Sequence, residues 1–200
     1  PYTLNTHIKE TPYYREQYSE AIQQCLDPLE RARRFVIRCW MGFGAGNHYK
    51  NGFRSGQQSN SPNPAKAWAR LPQTITLASE RLQGVQIEHM DAVELIRRYD
   101  TEDVFIYADP PYLPETRKGY LYKHEMSLEQ HRELLQVLSA HSGKILLSGY
   151  DNELYDSLLP GWHKVQKATQ AECGLRRTET LWMNYTPPAH QVSMEEYGVC

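Results

Sequence analysis

The second half of the chain alternates short apolar runs with amphipathic segments, and this constrains the fold more than any other feature. Val104-Phe-Ile-Tyr-Ala108 and Lys144-Ile-Leu-Leu-Ser148 read as strands buried in a parallel sheet. Between them, Ser127–His141 opens on a helix-capping serine with Glu129 in its first turn. Leu128, Leu134, Leu135 and Leu138 then recur at helical spacing. Val85–His89, His163–Lys167 and Thr178–Tyr185 read as further strands, and Ala92–Tyr99 and Glu153–Leu159 as helices. Strand and helix in this order predict an open α/β sheet.

The first part differs. Tyr13–Gln24 reads as helical, and Asp27-Pro28 supplies a cap and a first-turn proline for a second helix. Ala32, Phe35, Val36, Cys39 and Trp40 give that helix one apolar face. Residues 42–64 have loop composition, and 65–82 read as helical with a break at Pro72. The net charge of −2 conceals a split. Residues 1–72 carry ten Lys/Arg against five Asp/Glu, leaving twelve against nineteen for the remainder. The expected division is a basic, helical and loop-rich region at 1–72, an α/β core at 73–186 and a tail at 187–200. The four cysteines include no Cys-x-x-Cys pair, and no His-x-x-x-His pair occurs. Neither a disulfide framework nor a metal site is expected, and a reducing cytoplasm is. Apolar runs of five or six residues are too short to span a membrane.

Asp109-Pro110-Pro111-Tyr112 follows the run 104–108 directly. Ligands of open α/β sheets bind beyond the carboxyl ends of strands. Two prolines of fixed φ stiffen the turn. A stiff turn can aim the Asp109 carboxylate and the Pro110 carbonyl at one small target while Tyr112 offers a flat face. Two acceptors and an aromatic face suit the exocyclic amine of a base. Taking both N–H hydrogens favours a tetrahedral nitrogen with an exposed lone pair, which is stabilisation of a transition state by fixed dipoles.

With its context, the motif resembles the Dam-type (D12 class) DNA adenine-N6 methyltransferases of bacteria and phages. That context is Asp109–Lys118, Tyr122-Lys-His-Glu-Met126, Gln130-His131, Lys144–Tyr150, Thr178–Asn184, Glu30–Phe35 and Ala65–Pro72. The resemblance spans about residues 10–186. It implies a Rossmann-like methyltransferase sheet with a small helical target-recognition region, S-adenosylmethionine as cofactor and double-stranded DNA as partner. It also implies a bacterial cytoplasmic or phage-encoded setting, and restriction-modification or a related role. Asp109, Pro110, Pro111 and Tyr112 would hold a flipped-out adenine. Asp91, with Ala92 and Asp109, would contact the cofactor; Asp91 equally suits the helix cap of 92–99. Arg31, Arg34, Arg38, Lys50, Arg54, Arg117, Lys118 and Lys123 would meet DNA phosphates. Trp182 and Tyr107 read as core, whereas Glu179 suits either the site or a pairing at the core edge, with the pairing favoured.

The family's Phe-x-Gly-x-Gly cofactor loop has no good counterpart. Gly42-Phe-Gly-Ala-Gly46 follows helical rather than strand periodicity, and reads instead as a DNA-facing loop. The expected sheet is therefore incomplete at its N-terminal side, with a missing segment or second polypeptide completing the cofactor site. RNA base methylation and DNA binding without activity are the alternative functions.

Overall fold

The computed structural model describes residues 2–44, 51–56, 63–116, 124–170 and 176–188. They form two compact units, 1–87 and 88–200. The charge boundary at residue 72 thus falls inside a helix of the first unit. No helix among the described residues is long and apolar enough to cross a membrane.

The first unit is helical: α1 (Tyr2–Glu10), α2 (Arg15–Ala21), α3 (Pro28–Met41) and α4 (Pro64–Arg81). α3 begins as its sequence dictates, with Pro28 in the first turn and the Asp27 side chain accepting from the Glu30 amide at 2.7 Å. Its buried face differs from the expected one. Ile37 and Met41 are fully buried, whereas Phe35 is 54% and Trp40 38% exposed. Arg33, Ile37 and Met41 share a face at i, i+4 and i+8, so a charged residue occupies the stripe that periodicity assigned to solvent. The Arg33 guanidinium is accommodated there by Glu30, Thr11 and Gln17. Ile8, Tyr18, Ala21, Trp68 and Leu71 complete this core, and the Trp68 indole donates to the Thr11 carbonyl at 2.7 Å.

Pro72 does not break α4, which runs continuously through it. Trp68 and Leu71 are buried before the proline and Ile75 packs after it, so tertiary packing on both sides outweighs the lost amide hydrogen bond. Gly84, at a φ of +78°, turns the chain beyond the helix. Beyond α3, Gly42 bridges Phe53 in antiparallel fashion, with Phe43 N–H donating to Gly52 O and Arg54 N–H to Met41 O, both at 2.8 Å.

In the second unit, α5 (Ala92–Arg98) precedes β1 (Phe105–Ala108), a 3₁₀ turn (Pro114–Thr116), α6 (Leu128–Ala140) and β2 (Lys144–Tyr150). α7 (Glu153–Leu158), β3 (His163–Gln170) and β4 (Arg176–Met183) follow. The sheet order is β1-β2-β4-β3. β1 and β2 are parallel, joined through α6 with Phe105 opposite Lys144; the other two pairs are antiparallel. A mixed α/β architecture of this kind is consistent with a methyltransferase-like fold. Ile145, Leu147 and Trp182 project from the sheet onto Ile96, Leu134, Leu135, Leu138 and Tyr155 of the three helices. Trp182 is core, as expected. α6 starts on a full capping box, Ser127 with Gln130. At Gly143 a Cβ would collide with the carbonyl oxygens of Val104 and Thr101, so only glycine lets β2 enter beside β1.

Two strand expectations are corrected. Val85–His89 enters no β-ladder among the described residues, and Ile87 is 77% exposed. Alternation alone gives it a strand pattern without supplying a neighbour. β1 is parallel but not buried on both faces: it is the last strand in the sheet order, and Phe105 and Tyr107 are each at least half exposed. Tyr107 is therefore not a core residue.

Candidate active site

The Asp109–Tyr112 turn leaves the carboxyl end of β1, beside the end of β2, where the apolar run gives way to Ser148-Gly-Tyr150. Leu113 is buried in the core and anchors the turn from below, while the Thr116 amide and hydroxyl donate to its carbonyl at 3.0 and 2.8 Å. The Ser148 hydroxyl lies 2.8 Å from Asp109 Oδ1 and 3.2 Å from the Ala108 carbonyl oxygen, so β2 fixes the carboxylate's position. Pro110 and Pro111 are half-buried and carry the chain to Tyr112.

Tyr112 is also held from the sheet. Its hydroxyl donates to Glu179 Oε2 at 3.2 Å, and its ring meets Tyr150 edge-on at 4.7 Å between centroids. Glu179 of β4 pairs in register with Tyr150 of β2, which brings both side chains to one face. The Arg177 guanidinium lies 5.7 Å from the Tyr150 ring centroid. Burial, and then the neighbouring Asp109 charge, raise the Glu179 carboxyl above its usual range, against the opposing Tyr112 hydrogen bond. The Tyr112 phenol is raised still more strongly, by burial first and then by Glu179 and Asp109, so it is a neutral hydrogen-bond donor. The arrangement combines a carboxylate on a rigid turn with an aromatic face of defined orientation.

Asp91 caps α5, its Oδ1 accepting from the Val93 and Glu94 amides at 2.9 and 3.2 Å; Ala92 is the first helical residue. The basic residues separate into kinds. Arg31 and Arg54 are exposed. Arg34 binds Glu30 at 2.7 Å and the Gln23 carbonyl at 3.0 Å, and Arg38 binds the Ala21 carbonyl at 2.8 Å, so both also brace the helices. Lys50, Arg117, Lys118 and Lys123 lie outside the described residues.

Sequence reasoning gave no role to Ser148 or Tyr150 and favoured a core-edge pairing for Glu179. For the first two a signal existed: the polar end of a strand neighbouring β1 lies at the same end of the sheet as Asp109. Glu179 is brought there by strand register across 67 residues, which no local pattern encodes.

No curated protein matches the chain. The family model for D12 class N6 adenine-specific DNA methyltransferases matches residues 2–171, which span the helical unit, the Asp-Pro-Pro-Tyr turn and β2. The chain therefore belongs to the D12 class N6 adenine-specific DNA methyltransferase family, and is an adenine-specific DNA methyltransferase by that membership.

Proposed function

We propose that this protein methylates N6 of an adenine flipped out of duplex DNA, with S-adenosylmethionine as the methyl donor. The supporting observation is the rigid Asp109–Tyr112 turn, with Asp109 held by Ser148 and Tyr112 by Glu179. A paired adenine presents its amine inside the helix, so the base must leave the stack to meet these groups. Asp109 and the Pro110 carbonyl accept the two amine hydrogens and turn the nitrogen lone pair outward, while Tyr112 stacks on the ring. Asp109 acts as an orienting acceptor; the proton released by the methylated amine passes to water.

Asp91, Ala92 and Asp109 would hold S-adenosylmethionine, which supplies an electrophilic methyl group when bound. The donor chemistry fits: both cap hydrogen bonds of Asp91 fall on Oδ1, leaving the second oxygen to accept from a ligand amine. Residues 1–72 would form the target-recognition region, with exposed Arg31 and Arg54 on phosphates.

The test is methyl incorporation into duplex DNA from a methylation-deficient host, run beside structured RNA. Asp109→Ala should lower transfer by about a thousandfold, the scale of a lost transition-state contact, and leave duplex binding intact. Full turnover in this variant would refute the assigned mechanism, and transfer to RNA alone would refute the substrate.

A further inference from the structure

We propose that Glu179 is a positioning residue for methyl transfer: from β4 it takes the Tyr112 hydroxyl hydrogen bond and so fixes the aromatic face that receives the adenine. The inference deepens the reading of the Asp109–Tyr112 turn as the adenine site and rests on it.

Tyr112 lies in a loop, where a ring is free to swing unless it is held at its far end. Contacts from two strands do so. Glu179 Oε2 lies 3.2 Å from the Tyr112 oxygen, and Tyr150 packs edge-on at 4.7 Å. Tyr150 in turn carries Arg177 over its ring. Register explains why Glu179 and Tyr150 cooperate. They are direct cross-strand partners, so the group that holds the hydroxyl and the group that braces the ring share one rigid face. Asp109 is fixed separately, from Ser148 of β2. Asp109 is thus tied to β2 and the Tyr112 hydroxyl to β4, so their spacing follows the β2–β4 ladder as well as the loop. Preorganisation of this kind removes an ordering cost from base capture and keeps the stacked ring aligned.

Among the described residues, the groups facing Glu179 are Asp109 and Tyr112 from the turn, Tyr150 from β2, Arg177 on β4 itself and Lys167, its register partner on β3. Glu179 titrates above the ordinary glutamate range, so acidification weakens its hold on Tyr112 at a pH where most carboxylates remain charged.

Two measurements on the full chain test the proposal. In protein labelled with ¹³Cζ-tyrosine, the Tyr112 resonance (assigned by its absence in Tyr112→Phe) should move with pH, with a midpoint above that of an ordinary glutamate. The step should vanish in Glu179→Gln. In methyl transfer to unmethylated genomic DNA, Glu179→Leu and Tyr112→Phe should each lower kcat about tenfold, with KM for DNA within about twofold. The double variant should be no slower than the slower single. Glu179→Gln, which retains an oxygen acceptor, should recover kcat to within about fivefold of wild type while the acid limb of the pH profile shifts. A Tyr112 resonance indifferent to Glu179→Gln, or fully multiplicative losses in the double variant, would overturn the role. Absence of transfer by the wild-type chain counts against the methylation reading alone, because the resonance still decides whether Glu179 holds Tyr112.

Discussion

Glu30 in the helical unit and Glu179 in the sheet unit are both partly buried carboxylates, and they are driven in opposite directions. Glu30 is met by two guanidinium groups at 2.7 Å, Arg33 and Arg34. The Arg33 hydrogen bond first, against burial, and then Arg34 draw it down to about 2. Glu179 is met by a hydroxyl, and burial and Asp109 push it up. The helical unit uses its charge to close a scaffold, joining α2, α3 and Thr11, just beyond α1, through Arg33. At the site, carboxylates stand beside hydroxyls, which orient them without neutralising them. On the proposed reading, the acceptor capacity left to Asp109 is what an incoming amine requires.

The strongest attempt to break this comparison is Arg33→Ala. It should unfold the helical unit more easily by about 2 kcal/mol, since it leaves Glu30 with Arg34 alone and removes the donors to Thr11 and Gln17; chemical denaturation followed by circular dichroism measures this. A change below half that size would mean that the arginine cluster is a solvated surface.

Acid titration sharpens the comparison through its sign. The folded-state value of Glu30 lies below its unfolded value. Its contribution is therefore complete above the usual 4.5 and is lost as pH falls through about 2. Glu179 is raised, so its contribution is present below its unfolded value and is lost as pH rises through the folded one. In thermal melts between about pH 2 and 6, Glu30→Gln should flatten the acid loss of stability. Glu179→Gln should leave the loss in place or steepen it. Equal effects of the two substitutions would dissolve the distinction.

The smallest expected effect separates bracing arginines from free ones. Arg31→Ala and Arg54→Ala should change folding stability by less than about 0.5 kcal/mol. If they contact phosphates, each should reduce the salt dependence of DNA binding by about one unit of slope. Fluorescence anisotropy over a salt series reads this, and unchanged slopes would remove both residues from the DNA-facing set.

What the chain discloses before folding follows the range of each interaction. Asp27-Pro28 and the Ser127/Gln130 box are legible because capping is satisfied within four residues. The motif turn is legible because its stiffness is encoded in its own prolines. Glu30 with Arg33 and Arg34 is legible in hindsight from the i+3 and i+4 spacing, although an apolar stripe through Phe35 and Trp40 suggested a different buried face. Val85–His89 shows the converse: alternation predicts a strand, yet a strand exists only by pairing. Tyr107 reads as core from its apolar run, but among the described residues β1 has a ladder on one side alone. Glu179 was placed at the site by register, a property of three strands at once.

The order β1-β2-β4-β3 has a consequence for how the protein is made. β4 is the last of these strands to leave the ribosome, yet it lies between two that precede it. Until it emerges, β2 and β3 have no shared neighbour, and Tyr112 awaits a partner 67 residues downstream. The Asp109–Tyr112 turn is thus assembled late, by insertion of a central strand, and synthesis exposes the apolar edge of β2 for longer than a sheet built in sequence order would.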